Sequence, residues 1–81
     1  MDLRFYIDPE TEEPHIDRHA VSEADVEEVL ARPLEDRPGL EDSRVAIGQT
    51  RAGRYLRVIY VPESTPVSIF VITAYNLARR P

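Results

Sequence analysis

The sequence predicts an α+β fold, with one helix packed on a three- to four-stranded antiparallel meander that a short N-terminal strand can join. Three observations carry this expectation. A single stretch of helical period with its own cap lies at 22–32, three runs of strand character follow at 43–50, 55–61 and 67–75, and Gly and Pro punctuate the segments between them. The 81 residues leave room for one domain, 1–81, and a domain so small buries a modest share of its surface.

"LRFYID", residues 3–8, has the aromatic and β-branched content of a short strand, and "DPETEEP" after it carries turn residues. "PHIDRHA", residues 14–20, fits either a second short strand or a helical turn. The helix is better marked. Ser22 is a suitable N-cap with Asp25 three residues on, and Val21 can pack on Val26 as a hydrophobic staple. A helix from about Glu23 to Arg32 then presents Val26, Val29 and Leu30 as its apolar stripe, and Pro33 stops it. "PLEDRPGLED" reads as a polar connector. In "SRVAIGQT", Val45 and Ile47 share a face; "RAGR" is a tight turn in which Gly53 supplies positive φ; and the strands on either side of it are antiparallel neighbours. "PESTP" is a second turn. "VSIFVITAY", apolar on both faces, is expected to be the central strand, covered on each side. The helix covers one face of the sheet, leaving the other open or dependent on a partner.

Composition narrows function. The chain has no cysteine, so disulfides and thiolate metal sites are excluded. The long uncharged run that starts at Ser64 is too mixed to span a bilayer, and "MDLRFYIDPE" lacks the basic-then-apolar order of a secretory signal, so a cytoplasmic protein without a membrane partner is expected. All ten basic residues are arginine, a planar fork suited to phosphate or carboxylate. The net charge is −5, but it is unevenly placed. Residues 1–42 hold fourteen acids and four arginines, whereas residues 43–81 hold six arginines and one acid, Glu63. Such a division implies either a basic functional face on an acidic scaffold or a basic face that the acidic half covers.

The candidate site residues follow from that basic half. In the strand at 55–61, Tyr55, Arg57, Ile59 and Val61 alternate with Leu56, Val58 and Tyr60. Arg54 and Arg57 are either a phosphate clamp or two solvated arginines on an exposed face. Arg51 is an exposed turn residue, and Arg44 pairs too far from the turn to join them. His15, Asp17 and His19 have a spacing that could bind a metal but lack a third reliable ligand, so no metal is expected. His19, next to the helix cap, is a candidate acid or base. Tyr75 shares parity with Ile69, Val71 and Thr73 and is a core-edge residue on that count; on the open side near Arg57 it would position a phosphate or stack a base. No nucleophile elbow, phosphate-cradling glycine loop or zinc-hydrolase motif is present.

In order, "RHAVSEADVEEVL", "SRVAIGQTRAGRYLRVIYV" and "SIFVITAY" resemble the small BrnT-like toxins and a neighbouring bacterial family of unknown function, within the wider RelE-like ribonuclease toxin group. In BrnT-like proteins a basic residue, His and Gly precede a helix, a Gly-Arg pair starts a strand, and Ser-Ala-Arg follows the last strand. Here those places hold Arg18-His19-Ala20, Gly53-Arg54 and Thr73-Ala74-Tyr75. The resemblance implies the toxin of a toxin–antitoxin pair, cutting RNA without metal or cofactor and held inactive by an antitoxin over its basic face. It makes His19 the proton-transfer candidate and Arg54 the phosphate clamp, with Tyr75 in place of the family's arginine. Arg57 joins them from the strand pattern. Arg79 and Arg80 stand where relatives continue into a basic tail and are expected to add phosphate contacts. The competing expectation is a non-catalytic module whose basic meander docks an acidic partner, and a homodimer through the open sheet face is compatible with either.

Overall fold

The computed structural model describes residues 3–6, 21–64 and 67–77. The turn after the first strand, the "PHIDRHA" segment with His15, Asp17 and His19, residues 65–66 of the "PESTP" turn, and Arg79 with Arg80 lie outside the described residues. The elements are β1 (Leu3–Phe5), α1 (Glu23–Ala31), β2 (Glu35–Pro38), β3 (Arg44–Gln49), β4 (Tyr55–Ser64) and β5 (Val67–Asn76). They form a helix on a five-stranded mixed sheet of order β1-β5-β4-β3-β2. The class is α+β.

Helix α1 begins as its sequence dictates. Ser22 Oγ accepts from the Asp25 backbone N–H at 3.1 Å, and an Asp25 carboxylate oxygen accepts from the Ser22 N–H at 3.1 Å. This reciprocal box satisfies two donors that the first turn would otherwise leave orphaned. Val21 and Val26 both enter the core with Val29, Ala46, Leu56, Val58, Tyr60, Val71 and Ala74, and Leu30 packs at its edge. The helix packs tightly on the sheet at Gly48, where an added Cβ would stand 3.0 Å from a Val29 methyl. A glycine there lets the backbones approach.

The β3–β4 hairpin also follows expectation. Gly53 takes φ +92°, its N–H donates to the Thr50 carbonyl at 2.9 Å, and the Arg54 N–H donates to Thr50 Oγ1 at 3.2 Å.

The sheet departs from the predicted meander in two ways. The expected connector contains β2, which pairs antiparallel with β3 from Glu35↔Ile47 to Pro38↔Arg44 and is exposed throughout. Its letters carry no strand signal because it is held by backbone bonds and by Asp36. Charged residues and a proline suit such an edge. The N-terminal strand, in turn, lies parallel to β5, with Leu3 opposite Ile69 and Phe5 opposite Val71. These two additions make β4 the middle strand of five, and β5 an inner strand between β1 and β4.

The β4–β5 ladder contains an irregularity that decides the site. Ile59 pairs with Thr73 but Tyr60 pairs with Val71, leaving Ile72 as an extra residue in β5. A bulge of this kind reverses the facing of every side chain beyond it. Val71 and Ala74, three apart, are accordingly both buried under α1.

Candidate functional site

The bulge overturns the parity argument for Tyr75. Past Ile72, Tyr75 no longer shares a face with Val71; it lies directly across from Arg57, on the side of the sheet away from α1. There Arg57 Nη1 donates to the Tyr75 hydroxyl at 3.1 Å, and the guanidinium carbon sits 5.9 Å from the ring centroid. The ring face and the phenol oxygen both attract the cation. Arg57 Nε is buried and makes no hydrogen bond, and the same is true of Thr73 Oγ1, one row along the same face. Buried polar atoms normally find partners, so these two unsatisfied groups mark a spot on the open face where the packing leaves the bonding incomplete.

Arg54 is placed differently. It belongs to the helix side, where Nη1 meets an Asp25 carboxylate oxygen at 3.4 Å and Nε donates to Asn76 Oδ1 at 2.8 Å. Arg54 and Arg57 therefore stand near one end of the β4–β5 pair but on opposite faces, and do not make a single cluster. His19, Arg79 and Arg80 lie outside the described residues.

The charge division has a structural counterpart. Arg44 Nε donates to Asp36 Oδ1 at 2.9 Å, Arg51 stands 3.8 Å from Glu28, and Arg54 reaches Asp25. These three arginines of the basic half are thus each matched by an acid of the first half. In the other direction, Arg4 pairs with Glu63 at 3.0 Å. Among the described residues of the basic half, Arg57 is the arginine with no carboxylate partner. The pair at Arg51 is worth little, since its arginine is 94 % exposed and solvent screens it.

A second polar cluster, which sequence reasoning missed, sits on the helix face beyond α1. Tyr60, 6 % exposed, donates its hydroxyl to Asp36 Oδ2 at 2.6 Å, while Arg44 holds the other carboxylate oxygen. Burial, with help from the acceptor Asp36, raises the Tyr60 phenol above its ordinary range, so it stays protonated. Hydrogen bonding to Asp36 also strengthens the hold of Arg44 on its proton. This cluster pins the edge strand β2 to β3 and β4. The alternation of β4 predicts the facing of Tyr60, but nothing in the sequence predicts the strand that brings Asp36 to it.

The open face continues past Arg57 into an apolar groove of about 510 Å³, lined by Ile59, Val61 and Ile72 and rimmed by the turn Leu40–Ser43. Among the described residues no group of three His, Asp or Glu side chains is placed to hold a metal ion, and no helix is long and apolar enough to cross a membrane.

The profile of a family described as a domain of unknown function (DUF4258) matches residues 15–76. The chain belongs to this family. No curated protein and no solved structure matches it. The matched span of the DUF4258 domain takes in α1 and β2 to β5, and so both Arg54 and the Arg57–Tyr75 pair, but stops short of Arg79 and Arg80.

Proposed function

We propose that this DUF4258 protein is a RelE/BrnT-like toxin-type domain that acts on RNA in a bacterial toxin–antitoxin pair, with its phosphodiester site at Arg57 and Tyr75. The observation that carries this reading is Arg57 itself: a half-buried guanidinium on the open sheet face, without a carboxylate partner among the described residues and with an unbonded Nε. A phosphate oxygen would pair with the Nη edge of this guanidinium, on the side that is not closed off by the sheet.

Metal-independent cleavage needs few groups. A base removes the ribose 2′-hydroxyl proton, the 2′-oxygen attacks phosphorus, the bond from phosphorus to the 5′-oxygen breaks, and the departing oxygen takes up a proton. The products are a 2′,3′-cyclic phosphate and a 5′-hydroxyl end. Arg57 is suited to the charge that develops on the phosphorane. The Tyr75 phenol accepts a hydrogen bond from Arg57 and carries a proton of its own, the chemistry required for the leaving oxygen. His19 is the family-position candidate for the base. Arg54, tied to Asp25 and Asn76, is proposed to act from the helix side, as a clamp on RNA that wraps the end of the β4–β5 pair. Arg79 and Arg80 are proposed to extend the phosphate contacts, and the protein is proposed to work in the cytoplasm.

The test uses a labelled single-stranded RNA and the full chain. Binding should weaken steeply between 50 and 200 mM salt, and cleavage should leave cyclic phosphate ends. Arg57→Ala should abolish both cleavage and growth inhibition on expression. Absence of RNA binding at low salt would remove the reading. Binding without cleavage would favour a second one, a non-catalytic module that holds an acidic partner at Arg57.

A further inference from the structure

The apolar groove and the charges at its two ends define an occupant. Along β4 the open face presents Arg57, Ile59 and Val61 in succession, a span of about 13 Å at the rise of an extended strand. The Arg57 end is cationic. At the Val61 end stands the Leu40–Ser43 turn, which exposes Leu40 to 87 % and carries Glu41 and Asp42, neither in an ion pair among the described residues. Glu41 is held at φ 56°, a left-handed conformation that a non-glycine residue adopts at a cost, and the turn is locked by Ser43, whose N–H and Oγ both donate to the Leu40 carbonyl. A strained, locked turn that projects a leucine and two acids beside an apolar groove is a shaped rim.

From this geometry we infer that the groove docks an amphipathic peptide segment of a partner protein. Its apolar side chains lie against Ile59, Val61, Ile72 and Leu40; a carboxylate at one end meets Arg57, and a lysine or arginine at the other meets Glu41 and Asp42. The opposed charges fix the direction in which the segment lies. About nine residues of helix, or four of strand, cover the span. A second copy of this chain is the less suitable occupant, because it would have to bring an apolar stripe with both charges in that order. The docking rests on the groove alone. One consequence rests on the RNA reading above: the partner's carboxylate and an RNA phosphate compete for Arg57, so the docked segment shuts the site.

The probe is a display library of random twelve-residue peptides selected on the full chain. Enriched sequences should carry an acid at one end, a base at the other and apolar residues between them. The charge-reversal variant Glu41→Lys with Asp42→Lys, on an exposed turn, should weaken the selected peptides at least tenfold without weakening RNA binding. Those peptides should also displace labelled RNA. Absence of enrichment, or binders indifferent both to that variant and to Arg57→Ala, would overturn the docking. So would a wild-type dimer in sedimentation that the same variant splits, since a second copy would then fill the groove. Peptides that bind in the expected order to a chain with no RNA affinity would retain the docking and remove only the competition.

Discussion

The two faces of the sheet are built from the same strands and serve opposite ends. Under α1, β4 offers Leu56, Val58 and Tyr60 to a core in which leucine and valine side chains are wholly buried. On the other face, the intervening Tyr55, Arg57, Ile59 and Val61 are half-buried. The first face is closed by a helix that the chain supplies. On the second, Arg57 Nε and Thr73 Oγ1 lack hydrogen bonds and an apolar groove stays uncovered among the described residues.

The sharpest way to break the comparison is to truncate one residue on each face. Leu56→Ala should cost about 2–5 kcal/mol in urea unfolding, because it opens a cavity beneath the helix. Ile59→Ala, with water already beside it, should cost less than roughly half of that. Equal losses would show that the open face is as closed as the core.

Next come the two arginines. Arg57→Ala should lower RNA affinity about tenfold or more and reduce the salt slope by about one, with little loss of stability, since the native guanidinium leaves Nε unsatisfied. Arg54→Ala should do the reverse in part, costing up to about 1 kcal/mol of stability through its half-exposed bonds to the helix face. If both variants lost stability alike and RNA binding alike, the division of roles between the faces would fail.

The cap tests how far the helix depends on local chemistry. Ser22→Ala should cost about 1 kcal/mol, read as a lower urea midpoint with an unchanged slope. A smaller gain is expected at the groove's rim, where Glu41→Gly should add about 0.5–1 kcal/mol by relieving a positive φ, partly offset by glycine's greater freedom when unfolded.

Alkali gives the mildest contrast. The Tyr60 phenol is raised in the fold above its usual value of 10.0, so its contribution is complete below that pH and is lost as pH rises through the folded value. Tyr60→Phe should flatten the fall in stability above pH 10; an unchanged slope would mean that the Asp36 contact does not tie β2 to the sheet.

Much of the helix side was legible in the letters. Ser22 with Asp25, Val21 with Val26, and Gly53 between two alternating runs are local signals, each tied to a single turn or cap, and each appears where it was read. The open side was less legible for reasons of range. Glu35–Pro38 has no alternation, so a strand there exists only because β3 offers it an edge. Tyr75 was assigned by counting from Val71, and one extra residue at Ile72 reversed the count. Of the candidate residues, Arg57 was correctly placed among apolar and aromatic neighbours. The separation of Arg54 from it follows from their odd spacing, three residues apart where β4 begins, yet the partners of Arg54 lie 22 and 29 residues away.

By itself the sequence determined the capped helix, the β3–β4 hairpin, the alternation of β4 and the unequal charge of the two halves, because each depends on neighbouring residues or on simple composition. Only the tertiary structure decided which arginines are spent. Asp36, Glu28 and Asp25 reach Arg44, Arg51 and Arg54 through pairings between distant elements, and the bulge at Ile72 turns Tyr75 to Arg57, which has no carboxylate partner among the described residues. Charge can be counted along a chain, but whether a charge is neutralised depends on distance in space, and that is set by packing.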